Sequence, residues 1–383
     1  MPKAPQERPV GLSERILALD VLRGFAMLGV LIAYCMWSLG TAPEASWSAL
    51  DKRVDEIAAF LVDGKFYTIL ATLFGVGFSI QLGRASDDSA AVETYCRRLG
   101  VLSGIGLAHA LLLRNGDILL PYALTGFLLI PFRRASDRVL VASALAILLA
   151  TAAIRALWEQ LGLPPLERPS VNNASYLVEN AAWVRYWYST ALFTWPVNLT
   201  MFLFGYCLGR ARILTKLAEL PRMLVTIAAI GLTAGLAFHF GRQAVLDALP
   251  ASNATSALAW LFYTFHCWGM SSAYAALLVL ALRTRSGAVA LAPLSAVGRL
   301  ALTNYLSQAG IIVPLCLIFG LFDRFTPTSA LALGAALFVL VQMPFSVFWA
   351  RNFQFGPAEW VWRLLTYERL PPLRLRKTAL APL

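Results

Sequence analysis

The sequence contains few charged residues for its length. Asp, Glu, Lys and Arg make up 14% of the 383 residues, and hydrophobic residues make up 58%. A soluble domain carries about 25% charged residues. The charges that are present fall in short runs between long apolar stretches. This pattern excludes one large water-soluble core and predicts helices that face lipid.

Motifs that identify several common protein classes are also missing. No P-loop, GxSxG elbow or Rossmann fingerprint stands at a plausible position, which argues against an ATP-driven pump and a serine hydrolase. The five cysteines form no C-x-x-C pair, so we expect free thiols and no metal or redox chemistry through cysteine. With no tandem repeat or low-complexity tract, the sequence predicts a single domain over residues 1–383.

The net charge of +11 would suggest a nucleic-acid partner in a soluble protein. Here the basic residues flank apolar segments. We therefore expect no nucleic-acid partner, and contact with anionic membrane lipid instead.

Apolar runs predict an all-α, polytopic membrane bundle of about ten transmembrane helices. A spanning helix needs roughly 20 mostly apolar residues. The predicted spans are 16–39, 59–83, 97–113, 117–132, 138–157, 191–209, 222–241, 256–282, 299–322 and 328–350. The short polar link between the third and fourth spans predicts an antiparallel helical hairpin.

Lysine and arginine predict the orientation of these spans. With a cytoplasmic N-terminus, the inner segments hold 22 Lys and Arg residues and the outer segments hold nine. Basic residues favour the cytoplasmic side, so both termini are expected there. Segment 158–190 would be an outer interfacial segment, either an aromatic belt or a short amphipathic helix on the membrane surface. The basic tail 351–383 would lie on the cytoplasmic surface.

Ionisable groups inside membrane helices are costly, so each is a candidate functional residue. His109 lies in an apolar helix, five residues before Arg114 at its polar end, and Asp117 opens the next helix. A carboxylate beside an imidazole orients the ring, which is the usual support for a general base. The alternative is a packed histidine bonded to a neighbouring helix. Tyr122 would join this cluster or merely pack.

Asp20 and Arg23 lie three residues apart at the inner end of the first helix, on one helical face. One interpretation is an anchor that reaches the membrane interface. The other is phosphate recognition by the guanidinium group, on the side where a nucleotide-bearing donor would arrive.

Other polar residues keep two interpretations each. Lys65 begins the second helix as an interface anchor or a binding residue, and Asn304 and Gln308 either line a polar cavity or join helices. Glu359 in the tail is read as an interfacial anchor or as part of a cytoplasmic entrance. His239 and His266 lack metal-ligand spacing, so we expect both to be structural and expect no metal site. The GxxxG pairs 100/104, 205/209 and 231/235 predict close helix packing.

Five sequence blocks, taken in order, resemble the YeiB-like family of bacterial inner-membrane proteins. The blocks are 15–26, 64–78, 106–123, 298–305 and 356–363. This family is similar to a broader superfamily of transmembrane acyltransferases, which includes the lysosomal heparan-α-glucosaminide N-acetyltransferase and bacterial O-acyltransferases of surface glycans. The motif Asp20-x-x-Arg23-Gly24 is similar to the shared first-helix motif of that group.

The resemblance implies a multi-pass acyltransferase of a bacterial inner membrane. It implies acyl-CoA, expected to be acetyl-CoA, as the cytoplasmic donor, and a hydroxyl or amine acceptor, a small molecule or a glycan, on the far side. Some relatives place a catalytic histidine eleven residues after the motif arginine, where this chain has Tyr34. Others place one in the outer loop after the first helix, but residues 40–58 contain none. A histidine-based mechanism must then use His109.

The first hypothesis is therefore an acyltransferase. The pantetheine arm of acyl-CoA would thread a pore from the Arg23 side, and His109, aided by Asp117, would deprotonate the acceptor. The candidate substrate-binding residues are Asp20, Arg23, Tyr34, Lys65, Arg114, Tyr122 and Asn304. The alternative is a transporter or binding protein for a lipid-like or small organic molecule, with the same polar groups lining a path. A homodimer is compatible with either hypothesis.

Overall fold

A computed structural model describes residues 17–37, 39, 42–83, 88–113, 116–162, 175–213, 219–368 and 372–374. In these ranges the chain is helical and forms no strand longer than an isolated bridge. The α-helices are α1 Leu17–Trp37, α2 Ala49–Leu61, α3 Lys65–Leu82, α4 Asp88–Leu112, α5 Leu119–Phe127, α6 Asp137–Ala156, α7 Tyr176–Ser189, α8 Ala191–Arg210, α9 Pro221–Ala248, α10 Asn253–Ala281, α11 Arg285–Arg299, α12 Ala301–Phe319, α13 Pro327–Leu337, α14 Met343–Asn352 and α15 Pro357–Tyr367. The predicted all-α helix bundle is confirmed.

Seven helical stretches of the described chain are long and apolar enough to cross a membrane. They are Leu17–Trp37, Ala49–Leu82, Asp137–Ala156, Pro221–Ala248, Asn253–Ala281, Ala301–Phe319 and Pro327–Asn352. Each coincides with one of the predicted spans. The protein is therefore a multi-pass membrane protein.

The remaining three predicted spans have different outcomes. Span 97–113 coincides with the second part of α4 to within one residue, and span 191–209 falls within α8. Span 117–132 is corrected, because α5 has 9 residues and then tightens into a 3₁₀ turn at Ile130–Arg134. At 1.5 Å per residue α5 is about 14 Å long, well short of a hydrocarbon core of about 30 Å. The predicted hairpin is therefore a long helix followed by a short one.

The described residues form two compact units. The first unit comprises residues between Tyr67 and Leu280, and the second comprises residues of Ser13–Phe66 with Ala281–Leu383. The division falls within α3, whose first two residues belong to the second unit.

In the second unit, α1 and α11 cross with their backbones in contact. A methyl group built on Gly24 would lie 1.9 Å from the Leu294 carbonyl oxygen, and one on Gly298 would lie 1.8 Å from the Asp20 carbonyl oxygen. Only glycine permits this approach.

In the first unit, α3 and α8 make a similar contact. A methyl group on Gly75 would lie 2.0 Å from the Phe202 carbonyl oxygen, and one on Gly205 would lie 2.0 Å from the Thr72 carbonyl oxygen. The packing role predicted for the 205/209 pair is confirmed. The same prediction for Gly100 and Gly104 is wrong among the described residues, because no atom of a neighbouring element there lies within 4 Å of a methyl group at either position.

Candidate active site at His109 and Asp117

The first unit brings His109 and Asp117 together, as the sequence predicts. The His109 Nδ1 atom lies 2.9 Å from the Asp117 Oδ1 atom, and both side chains are 2% exposed. A buried carboxylate beside Nδ1 holds the imidazole in one orientation and favours the tautomer with the proton on Nδ1. The second ring nitrogen, Nε2, is then the one that carries a lone pair.

The turn between α4 and α5 fixes the position of the carboxylate. Asp117 Oδ2 accepts a hydrogen bond of 2.7 Å from the backbone N–H of Leu120, in the first turn of α5. This is the capping interaction that helix N-termini favour, and the partial positive charge there stabilises a carboxylate. Because each Asp117 oxygen has its own partner, the carboxylate cannot rotate without losing one of them.

Gly106, one turn before His109, allows the two helices to meet closely. A methyl group at this position would lie 2.5 Å from the Leu120 nitrogen and 2.9 Å from Asp117 Oδ2. Any larger residue at 106 would therefore push the start of α5, and the carboxylate with it, away from α4. The glycine is part of the site's construction, a role that the sequence analysis did not assign to it.

Helix α7 covers the end of α4 that carries His109. Asn180 is 1% exposed and donates from Nδ2 to the carbonyls of Ala110 and Leu111, the second at 2.9 Å. The Tyr176 hydroxyl donates to the Leu113 carbonyl. The last carbonyls of a helix have no intrahelical partner, so these two side chains satisfy them. Part of the predicted outer segment 158–190 is thus a helix docked on the candidate site.

Tyr188 is a further neighbour that the sequence analysis missed. Its hydroxyl is buried and forms no hydrogen bond with the residues that the structure describes. Its ring packs edge-on against Trp195, with centroids 5.9 Å apart. Burial, together with the negative charge of Asp117, raises the pKa of Tyr188 to about 12. Tyr188 belongs to segment 158–190, which was predicted as an aromatic belt or a surface helix. Nothing in its spacing linked it to His109.

Tyr122 packs instead of completing the pair. Its hydroxyl donates to the Tyr67 carbonyl at 2.9 Å, and its ring lies 5.3 Å from the rings of Tyr67 and Phe202. The Tyr67 hydroxyl in turn donates to Asn198. These contacts join α3, α5 and α8 within the first unit. Arg114, another predicted site residue, lies outside the described residues.

The remaining predicted site residues belong to the second unit. Arg23 Nη1 lies 3.4 Å from Asp20 Oδ1, and the Arg23 side chain is 33% exposed. Tyr34 is buried. Lys65 is fully buried and donates from Nζ to the Ala59 carbonyl at 2.9 Å. An interface anchor would be exposed, so that interpretation of Lys65 is wrong.

Asn304 and Gln308 join helices, as one of their two interpretations proposed. Asn304 Nδ2 donates to the Val297 carbonyl at 3.1 Å and to Ser346 Oγ at 2.9 Å. Gln308 Nε2 lies 3.2 Å from both the Met27 carbonyl and Gln342 Oε1. These amides bond to other buried groups of the same unit, which is the pattern of interhelical hydrogen bonding in membrane bundles.

Glu359 caps a helix, and its interpretation as an interfacial anchor is corrected. Its carboxylate accepts hydrogen bonds from the N–H groups of Leu302 at 2.7 Å and Thr303 at 3.1 Å, at the start of α12. Burial raises the pKa of the Glu359 carboxyl above its ordinary value, although these hydrogen bonds act in the opposite direction.

Comparison with known sequences gives a consistent set of relatives. The profile of DUF418, a family described as a protein of unknown function, matches residues 208–369. The chain is 31% identical to the "Uncharacterized 39.9 kDa protein in amylase 3'region" of Bacillus acidopullulyticus, over 97% of this chain and 99% of the relative.

Two further relatives are also similar over nearly their full length. The chain is 28% identical to YxaH of Bacillus subtilis (strain 168), over 96% of this chain and 98% of the relative. It is 29% identical to YeiB of Escherichia coli (strain K12), over 94% of this chain and 98% of the relative. No solved structure matches the chain.

Proposed function

The chain belongs to the YeiB-like, DUF418 family, and from that premise we propose that it is a membrane-bound acyltransferase. It would move an acyl group, expected to be acetyl, from acyl-CoA to a hydroxyl or amine acceptor. The first-helix motif Asp20-x-x-Arg23-Gly24, similar to that of transmembrane acyltransferases, supports this assignment. The bacterial sources of the relatives support placement in a bacterial inner membrane.

The observation that carries the proposal is the buried contact between His109 and Asp117. A structural histidine needs only one partner, whereas here the partner carboxylate is itself fixed by the Leu120 N–H. A base oriented by a third group is the arrangement that activates nucleophiles in acyl transfer. The cover of the site by α7 would also exclude water, which competes with the acceptor for the acyl group.

In the proposed reaction, His109 Nε2 takes the proton from the acceptor hydroxyl or amine. The acceptor lone pair attacks the thioester carbonyl carbon, the new C–O or C–N bond forms, and the C–S bond breaks. The CoA thiolate leaves, and the proton on Nε2 passes to it to give free CoA. His109 has given up the transferred proton at the end, and Asp117 holds the ring in place throughout.

We assign donor binding to Arg23. A guanidinium group binds phosphate with two parallel hydrogen bonds, and this side chain is partly exposed while its Asp20 partner is nearly buried. Lys65 would then have a structural role at the start of α3, because its ammonium group is buried on a backbone carbonyl.

The transporter alternative has less support. The amides that would line a path in the second unit are hydrogen-bonded to neighbouring groups. The cavity beside Gln308 and Gln342 has a volume of about 10 Å³. That volume holds at most one water molecule.

Binding of acetyl-CoA to the purified protein in detergent tests the donor assignment. Acetyl-CoA at 100 times its Kd should stabilise the folded protein by about 2.7 kcal/mol if it binds only that state. We expect a rise in Tm that Arg23→Ala removes and that the exposed-site control Arg53→Ala retains. Absence of a shift with acetyl-CoA and with longer acyl-CoAs, in a well-folded sample, would contradict the proposal.

A further inference from the structure

Two histidines that are far apart in sequence meet between α9 and α10 of the first unit. The ring centroids of His239 and His266 lie 5.1 Å apart, with 50° between the ring planes. Neither residue contributes to the His109 site, and the sequence analysis expected both to be structural. Their proximity suggests that the two imidazoles bind a ligand together, separately from the His109 site.

Glycines on the two helices bring the imidazoles within reach. A methyl group on Gly231 would lie 2.7 Å from the Gly269 carbonyl oxygen, and one on Gly269 would lie 2.8 Å from the Gly235 nitrogen. The backbones are thus in direct contact one to two turns from the histidines. This confirms the packing role predicted for the 231/235 pair.

The tautomer of His266 is set by the backbone. His266 Nδ1 lies 2.8 Å from the Gly235 carbonyl oxygen, which can only accept, so Nδ1 carries the proton. The lone pair of the neutral ring is then on Nε2. A ring N–H bound to a backbone carbonyl is the support that histidine ligands of metals usually have. Gly235 is also one turn before His239, so the ring of His266 lies along the face that carries His239.

The separation of the rings fits a shared metal ion. With a metal–nitrogen bond of about 2.1 Å, the ion lies about 3.2 Å from each ring centroid, and two rings at a tetrahedral angle have centroids about 5 Å apart. The observed 5.1 Å agrees with this value. His266 is 2% exposed, whereas His239 is partly exposed, which leaves one side of the pair accessible to an incoming ion.

We propose that His239 and His266 form a binding site for a divalent transition-metal ion, Zn²⁺ or Cu²⁺. Imidazole suits these ions, whereas Mg²⁺ prefers oxygen ligands. Within the described chain no third His, Cys, Asp or Glu joins the pair, so the other coordination positions take water or a small anion. Arg242 lies one turn from His239 along α9, and its guanidinium lies over the Tyr263 ring, 6.0 Å from the ring centroid.

Calorimetric titration of the untagged protein with ZnCl₂ tests the site. We expect wild-type binding of one ion, and at least a 10-fold rise in Kd for both His239→Ala and His266→Ala. His109→Ala is the matched control, because it removes the remaining histidine of the chain and should leave Zn²⁺ binding unchanged. MgCl₂ should produce no binding heat.

Two results would overturn the proposal: no Zn²⁺ binding by the folded wild-type protein, or equal binding by the His239→Ala variant. Because His239 is partly exposed, this variant keeps the test valid even if His266→Ala does not fold. Electron paramagnetic resonance with CuCl₂ gives an independent readout. The wild-type spectrum should carry hyperfine structure from two imidazole nitrogens, and the His239→Ala spectrum from fewer.

Discussion

His109 Nδ1 and Asp117 Oδ1 lie 2.9 Å apart in a site where both side chains are almost inaccessible to solvent. His109 lies in α4, whereas Asp117 lies two residues before the start of α5. The same carboxylate caps α5 through the Leu120 N–H. The Asp117 carboxylate therefore both orients the proposed base and stabilises the start of α5.

Replacing Asp117 with Asn should test whether the carboxylate orients the His109 ring or only fills space beside it. The amide is nearly isosteric but carries no charge, and it favours a different hydrogen-bonding arrangement with the imidazole. We expect acyl transfer to fall by roughly 10²–10⁴-fold, with Tm changed by a few degrees at most. Transfer rates are compared with those of Glu93→Gln, an exposed carboxylate on α4, which should be unaffected. Full activity in Asp117→Asn would contradict the role of the pair.

Alanine substitutions at Gly104 and Gly106, which lie about half a turn apart on α4, should have different effects on Tm. Gly106→Ala places a methyl group 2.5 Å from the Leu120 nitrogen and should lower both Tm and acyl transfer. Gly104→Ala meets no atom of a neighbouring element within 4 Å in the described part of the chain, and alanine is favoured over glycine in helices by about 1 kcal/mol, so Tm should stay or rise. Thermal unfolding in one detergent measures both. Equal Tm values for the two variants would refute the close approach at Gly106.

Asn180→Ala should loosen α7 from the end of α4. The substitution leaves the carbonyls of Ala110 and Leu111 without their side-chain donor, a loss of about 1–3 kcal/mol. Hydrogen exchange should then accelerate in Tyr176–Ser189 more than elsewhere. Asn352→Ala, which removes an exposed bond to Phe348, is the matched control and should change exchange only locally. Unchanged exchange in α7 would exclude this docking contact.

Tyr188 should make stability depend on alkaline pH. Its pKa is raised from 10.0 to about 12, so the folded state holds the phenol proton at pH values where the unfolded state has lost it. This contribution is complete below pH 10 and is lost as pH rises towards 12. Tyr188→Phe should therefore lose less stability than wild type between pH 10 and 12. Parallel pH profiles of Tm for the two proteins would be inconsistent with the raised pKa.

The sequence predicted some features of the fold and site better than others. Long apolar runs have a strong signal, so α1, α6, α9 and α10 appear where they were expected. The contact of His109 with Asp117 was also predicted, because only a short link separates their helices. The short helix α5 was mistaken for a full span, since its length depends on packing rather than on hydropathy.

Contacts between distant segments were the least accessible to sequence reasoning. Asn180 lies 69 residues from Leu111, and no pattern connects them. Likewise, the spacing of His239 and His266 showed nothing of their contact, which depends on the close approach of two helices at glycines. One of the two interpretations of Lys65 placed it at an interface, because lysine usually reaches water, yet the Lys65 ammonium group donates to a backbone carbonyl in the interior.

The central claim is tested most directly by acyl transfer from radiolabelled acetyl-CoA, with the purified protein in lipid vesicles and a bacterial membrane extract as the source of acceptor. Free CoA and labelled product are measured together for wild type and His109→Ala. The account predicts equimolar CoA and product for wild type, and a fall of at least 10²-fold in both for His109→Ala with acetyl-CoA binding retained. Transfer at the wild-type rate by His109→Ala would contradict it.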